Sequence, residues 1–136
     1  MSQIKESLLV KLSDHSALVA VLGLGYVGLP LAVAFAEAGF KVVGVDPIAD
    51  KVAQVNRGES YVMDVPSARL APLVNAGMIR ATTDFAACAQ VDAVSICVPT
   101  PLRKTGDPDL AFIISAAESL SPYVHTGMVV VLESST

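Results

Sequence analysis

The sequence predicts an α/β fold, a doubly wound parallel sheet of about six strands with helices on both faces. Three observations predict it. Short apolar runs alternate with longer helical patterns, the order that builds a parallel sheet. Those runs are apolar at successive positions, as strands covered on both faces must be. Hydrophobic residues make up 53% of the 136 residues and charged residues 16%, which suits one domain with a large core and does not suit disorder.

The chain is organised around Val19 to Asp46. Ala17 to Leu22 reads as a buried strand. It breaks at Gly23-Leu24-Gly25-Tyr26-Val27-Gly28, a G-x-G-x-x-G. A helical, alanine-rich pattern runs to Ala38 and is closed by Gly39. A second apolar run, Lys41 to Val45, ends in Asp46. Strand, glycine turn, helix, strand and acid in this register form the fingerprint of a dinucleotide site. Gly23 permits the tight turn, Gly25 lets a pyrophosphate approach the backbone, and Gly28 lets helix and strand pack closely. The helix N-terminus presents unpaired N–H groups and a positive dipole end to phosphate. Asp46 lies 18 positions after Gly28, near the usual spacing of about 20 for the acid that accepts the ribose hydroxyls. A carboxylate there repels a 2′-phosphate, so NAD is expected rather than NADP. The bland alternative is a set of glycines that only turn a corner.

Composition narrows the remaining classes. The net charge of −4 and the lack of a basic patch argue against a nucleic-acid partner. No apolar run reaches the roughly 18 residues of a membrane span. Lys5, Glu6 and Lys11 interrupt any leader-like segment, so a cytoplasmic protein is expected. Cys88 and Cys97 read as structural free thiols, Cys97 in a core strand and Cys88 in an Ala-rich helical stretch. His15 and His125 are isolated, and no metal site is expected.

The other elements follow in order. Residues 3 to 13 carry Ile4, Leu8, Leu9 and Leu12 on one helical face, an extension of residues 1–15 ahead of the domain at 16–136. Pro30 falls early in the helix after Gly28, where proline is tolerated. Helices are expected over 49–56 and about 66–75, with Lys51 and Arg57 the cations nearest the ribose site. Tyr61 sits in a tract, 59–64, that belongs to no clear element; it is either loop packing or a wall near cofactor or substrate. Met78 to Ala81 reads as a strand, and Thr82-Thr83-Asp84 caps a brief helix over 85–89. Val91 to Val98 is a strand stopped by Pro99-Thr100-Pro101, which holds Thr100 extended at a strand's carboxyl end, the edge that faces the ligand crevice in such sheets. Ordinary loop chemistry is the alternative. A polar loop at 102–108 leads to a helix ending near Leu120, with either Asp109 or Asp107 at its cap. Met128 to Leu132 is the last apolar strand, and Glu133-Ser134-Ser135-Thr136 is either a site edge or a solvated strand end.

Three separated motifs, Gly-Leu-Gly-Tyr-Val-Gly-Leu-Pro at 23–30, Val-Pro-Thr-Pro at 98–101 and Glu-Ser-Ser-Thr at 133–136, together resemble the UDP-glucose/GDP-mannose dehydrogenase family. The resemblance covers essentially the whole chain, as that family's N-terminal NAD-binding Rossmann domain. The branch it resembles is bacterial UDP-N-acetylglucosamine 6-dehydrogenase, on Ser60-Tyr61 with Asp64-Val65-Pro66, residues 80–85, Pro-Thr-Pro-Leu, Lys104-Thr105 and Asp107-Pro108-Asp109-Leu110. Residues 103–107 depart from that branch's pattern. The resemblance implies an NAD-dependent oxidation of a nucleotide sugar's C6 hydroxyl to a carboxylate in two steps. It implies that Gly23, Leu24, Gly25, Tyr26, Val27 and Gly28 hold the pyrophosphate and that Asp46 and Lys51 serve the adenosine end. Val98, Pro99 and Thr100 would line the nicotinamide side. Ser135 would touch cofactor, and Thr136 would position the catalytic water. The family's nucleophilic cysteine and most of its sugar site are matched nowhere in 1–136, so the chain is expected to be the NAD-binding part of a longer homo-oligomeric enzyme, inactive alone. A 3-hydroxyacid-type dehydrogenase and a non-catalytic dinucleotide sensor are the alternatives.

Overall fold

The computed structural model describes residues 2–133. The serines at 134 and 135 and Thr136, singled out above, lie outside the described residues. The elements run α1 (Ser2–Ser13), β1 (Leu18–Leu22), α2 (Gly28–Glu37), β2 (Lys41–Val45), α3 (Ala49–Asn56), α4 (Ser67–Asn75), β3 (Ile79–Thr82), β4 (Ala93–Ile96), α5 (Ala111–Leu120) and β5 (Val129–Leu132). All pairings are parallel, in the order β3-β2-β1-β4-β5. The described sheet therefore has five strands, not about six. Each of the five apolar runs supplies one strand.

The successive apolar positions of β1 divide between two cores, as the two-face expectation requires. Val21 joins Leu29, Val33 and Ala36 of α2, with Val55, Val65 and Leu70, on one face. Ala20 and Leu22 join Val43, Val45, Val94, Ala116 and Leu120 on the other. Cys88 and Cys97 are buried free thiols, one in each core.

The sequence leaves two local geometries open. The brief helix expected over 85–89 is a 3₁₀ helix, Phe85–Gln90. Asp84 accepts from the Ala86 N–H at 2.9 Å, and the segment is too short to gain α-helical cooperativity. At the start of α5 the N-cap position is Leu110, so neither Asp109 nor Asp107 occupies it; Asp109, one residue earlier, accepts from the Ala111 N–H at 2.9 Å. Asp107 instead accepts from the Thr105 hydroxyl, within a tight loop closed by the Leu102–Pro108 bridge.

The two sheet margins differ. On β3, the Asn56 amide of α3 donates to the Ala81 carbonyl and accepts the Ala81 N–H, both at 2.9 Å. One side chain thus satisfies both outward-facing backbone groups of Ala81 on an edge strand. On β5, Val129, Val130, Val131 and Leu132 are all 41–54% exposed. Its expected burial is not met, because among the described residues no layer covers either face of that strand.

Candidate cofactor site

The chain places β2 and β3 on one side of β1, then β4 and β5 on the other. That reversal between β1 and β4 opens a crevice at the strands' carboxyl ends, where ligands bind in open α/β sheets. A cleft of about 470 Å³ lies there. Gly23, Leu24, Gly25, Tyr26 and Val27 enter it from the end of β1, and Asp46 from the end of β2. Lys51 comes from α3, Tyr61 and Val62 from the α3–α4 connection, and Cys97 and Pro99 from the end of β4.

The glycine turn takes its shape from steric limits. Gly23 has φ +93°, and a Cβ there would lie 2.9 Å from the Cys97 carbonyl oxygen. A Cβ on Gly28 would lie 1.6 Å from the Gly23 carbonyl oxygen, so α2 can approach β1 only through glycine. A Cβ on Gly25 would meet nothing within 4 Å, which leaves backbone facing open space in the cleft wall. α2 starts at Gly28 directly after this turn. The Leu29 N–H already donates to the Gly25 carbonyl at 3.1 Å and the Leu31 N–H to the Val27 carbonyl at 3.2 Å, and Pro30 has no N–H, so the helix start offers a phosphate chiefly the positive end of its dipole. This open glycine backbone beside a helix N-terminus suits a pyrophosphate.

Asp46 is buried at 4% exposure and lies at the far side of the turn. Its two carboxylate oxygens accept from the Leu24 N–H and the Ile48 N–H, each at 2.9 Å. A carboxylate has about four acceptor sites, so acceptor capacity for ribose hydroxyls remains. Leu24 is held at three points. Asp46 takes its N–H, the Tyr61 hydroxyl donates to its carbonyl at 2.5 Å, and its side chain fills the space a Gly44 side chain would need. Burial first, and then the Asp46 carboxylate, push the Tyr61 phenol up to about 12, so it remains a donor at neutral pH. The Lys51 ammonium lies 5.9 Å from the centre of the Tyr61 ring.

Gly28 starts α2 behind the turn rather than lining the cleft. Val98 packs against the second core, and Thr100 is half-buried on the same loop as Pro99; neither lines the cleft. Arg57 is paired with Glu59 and is not in the wall. Cys97 and Val62 line it without having been assigned a binding role from sequence. Burial, then the Glu133 carboxylate, push the Cys97 thiol up to about 11, consistent with an unreactive packing thiol.

With this geometry established, comparison with known proteins is specific. Residues 17–136 match the NAD binding domain of the UDP-glucose/GDP-mannose dehydrogenase family. The chain belongs to that family, and the domain it matches binds NAD. It is 40% identical over 119 residues to the UDP-N-acetyl-D-mannosamine dehydrogenase of Salmonella typhi, covering 87% of this chain and 28% of that protein. Among solved structures it superimposes on the NDP-N-acetyl-D-galactosaminuronic acid dehydrogenase of Methanosarcina mazei with TM-score 0.84 at 33% identity, over 96% of this chain and 30% of the other. GDP-mannose dehydrogenase of Pseudomonas aeruginosa gives TM-score 0.80 at 32% identity, over 87% and 28%. The chain thus spans under a third of the length of these relatives. No helix among the described residues is long and apolar enough to cross a membrane.

Proposed function

We propose that residues 16–136 are the NAD grip of an enzyme that oxidises the C6 hydroxyl of a UDP-linked N-acetylhexosamine to a carboxylate, working in the cytoplasm as a homo-oligomer. The observation that carries this reading is the glycine turn opposite a buried Asp46, in a crevice at the sheet's reversal point. The resemblance to UDP-N-acetylglucosamine enzymes named one epimer. The 40% identity to a mannosamine enzyme favours the other, so N-acetylmannosamine is the preferred sugar.

In this reading the turn from Gly23 to Gly28 holds the pyrophosphate. Asp46 receives the adenosine ribose, and Lys51 supplies a cation beside it. Val98, Pro99 and Thr100 lie toward the nicotinamide, with Ser135 against the cofactor and Thr136 directing water. NAD supplies the hydride acceptor when bound. The chain's own contribution is to fix the height and tilt of that acceptor against the sugar and to exclude a 2′-phosphate at Asp46.

The test is an assay of the full-length protein with NAD and each UDP-N-acetylhexosamine. The expected result is two NADH per UDP-N-acetylmannosamine, with NAD strongly preferred to NADP. Turnover of neither N-acetyl sugar would overturn the substrate assignment. Equal use of NAD and NADP would overturn the role given to Asp46.

A further inference from the structure

We infer that Tyr61 is a positioning residue of the cofactor grip, acting through the Leu24–Gly25 peptide to orient and polarise the Gly25 N–H toward the pyrophosphate. This inference rests on the cleft being the NAD site.

Gly25 N–H belongs to the same rigid plane as the Leu24 carbonyl. Among the described residues no peptide is cis, so carbonyl and N–H point in opposite directions across that plane. The Tyr61 hydroxyl donates to the carbonyl side. What Tyr61 fixes on one side of the plane is therefore fixed on the other. A hydrogen bond received by the carbonyl also makes the N–H of the same peptide a stronger donor, since linked hydrogen bonds polarise one another.

Flexibility makes such a clamp useful. A glycine at the site of closest approach allows the peptide plane to rotate, because no side chain restricts Gly25. A Cβ there would touch nothing, so no side-chain packing restrains the glycine, and the following peptide is held separately by the Leu29 N–H, which donates to the Gly25 carbonyl at 3.1 Å. The Leu24 N–H is tied to Asp46, and this fixes the preceding peptide. The Leu24–Gly25 plane itself is held by Tyr61. Tyr61 reaches it from 37 residues away, through the connection between α3 and α4. Its half-buried ring stands on the cleft wall beside Val62.

The experiment uses the full chain and three ligands of increasing content: adenosine, ADP and NAD. Tyr61→Phe keeps the ring and removes the donor. It is expected to weaken ADP and NAD about three- to tenfold, the range for one neutral hydrogen bond, and to leave adenosine unchanged. In the ligand-free protein the Gly25 amide resonance should move in Tyr61→Phe. It should move the opposite way when a fluorinated tyrosine, a stronger donor, is placed at 61. That second replacement keeps the test available should Tyr61→Phe fold poorly. Equal losses for adenosine and ADP, or an unmoved Gly25 resonance, would overturn the inference. Gly25→Val separates the two levels of the argument. If it abolishes NAD binding while Tyr61→Phe binds like wild type, the cleft reading stands and the Tyr61 role falls. If Gly25→Val binds NAD normally, the cleft reading falls and takes the Tyr61 role with it.

Discussion

Gly28 admits no side chain, because the Gly23 carbonyl oxygen already occupies the place of its Cβ. Gly28→Ala is expected to cost about 3 kcal/mol through overpacking, read as a lower urea midpoint. Asp46 accepts two backbone N–H groups, and in the proposed reading it also receives the ribose. Asp46→Ala should lower stability by about 1–3 kcal/mol even without cofactor, because two donors lose their acceptor. A melt without NAD checks this, and a melt unchanged from wild type would show the two bonds to be dispensable. Burial pushes the Cys88 and Cys97 thiols to about 11 from an ordinary 9.0, and Tyr61 to about 12 from 10.0. For each group the unfolded chain releases its proton first as pH rises. Stability is therefore full below about pH 9 and declines as pH climbs to about 12. Tyr61→Phe should flatten the part of that decline above pH 10. The glycines and Asp46 were legible as a motif because their spacing is itself the chemistry. Tyr61 was legible only as a candidate wall, since its bond to Leu24 depends on how the chain folds back.

At the scale of the element, Asn56 seals β3 by joining the last turn of α3 to Ala81. Asn56→Ala is expected to destabilise the chain by about 1–3 kcal/mol, leaving an N–H and a carbonyl without their partner. Hydrogen exchange at Ala81 should then rise more than exchange in β1. Unchanged protection at Ala81 would show that the edge is sealed by something else. The strands themselves were readable from short apolar runs, to within one or two residues. Their coverage was not, because an apolar run reports that a strand seeks two layers and not whether the layers are present. β5 is such a case: its sequence, Val-Val-Val-Leu, matches a central strand, yet its side chains are open. The 3₁₀ geometry of 85–90 was also hidden, since capping chemistry is shared by both helix types.

For the whole molecule, cofactor binding and folding are one linked equilibrium. NAD at one hundred times its dissociation constant should add about 2.7 kcal/mol to stability, and NADP at the same concentration far less. A thermal melt with each cofactor measures this, and equal shifts would count against the Asp46 assignment. The class of fold was legible because alternating elements and a glycine turn restrict the topology. The crevice between β1 and β4 was not visible directly, as it arises from the strand order and from residues 23, 46, 61 and 97 meeting across the chain. The unequal margins of the sheet give the molecule a direction of growth. Additional structure can be accommodated beside β5, whereas on the β3 side Asn56 already occupies the edge at Ala81. A fluorescent label or affinity handle meant to leave assembly undisturbed therefore belongs on the β3 side, away from the open valines.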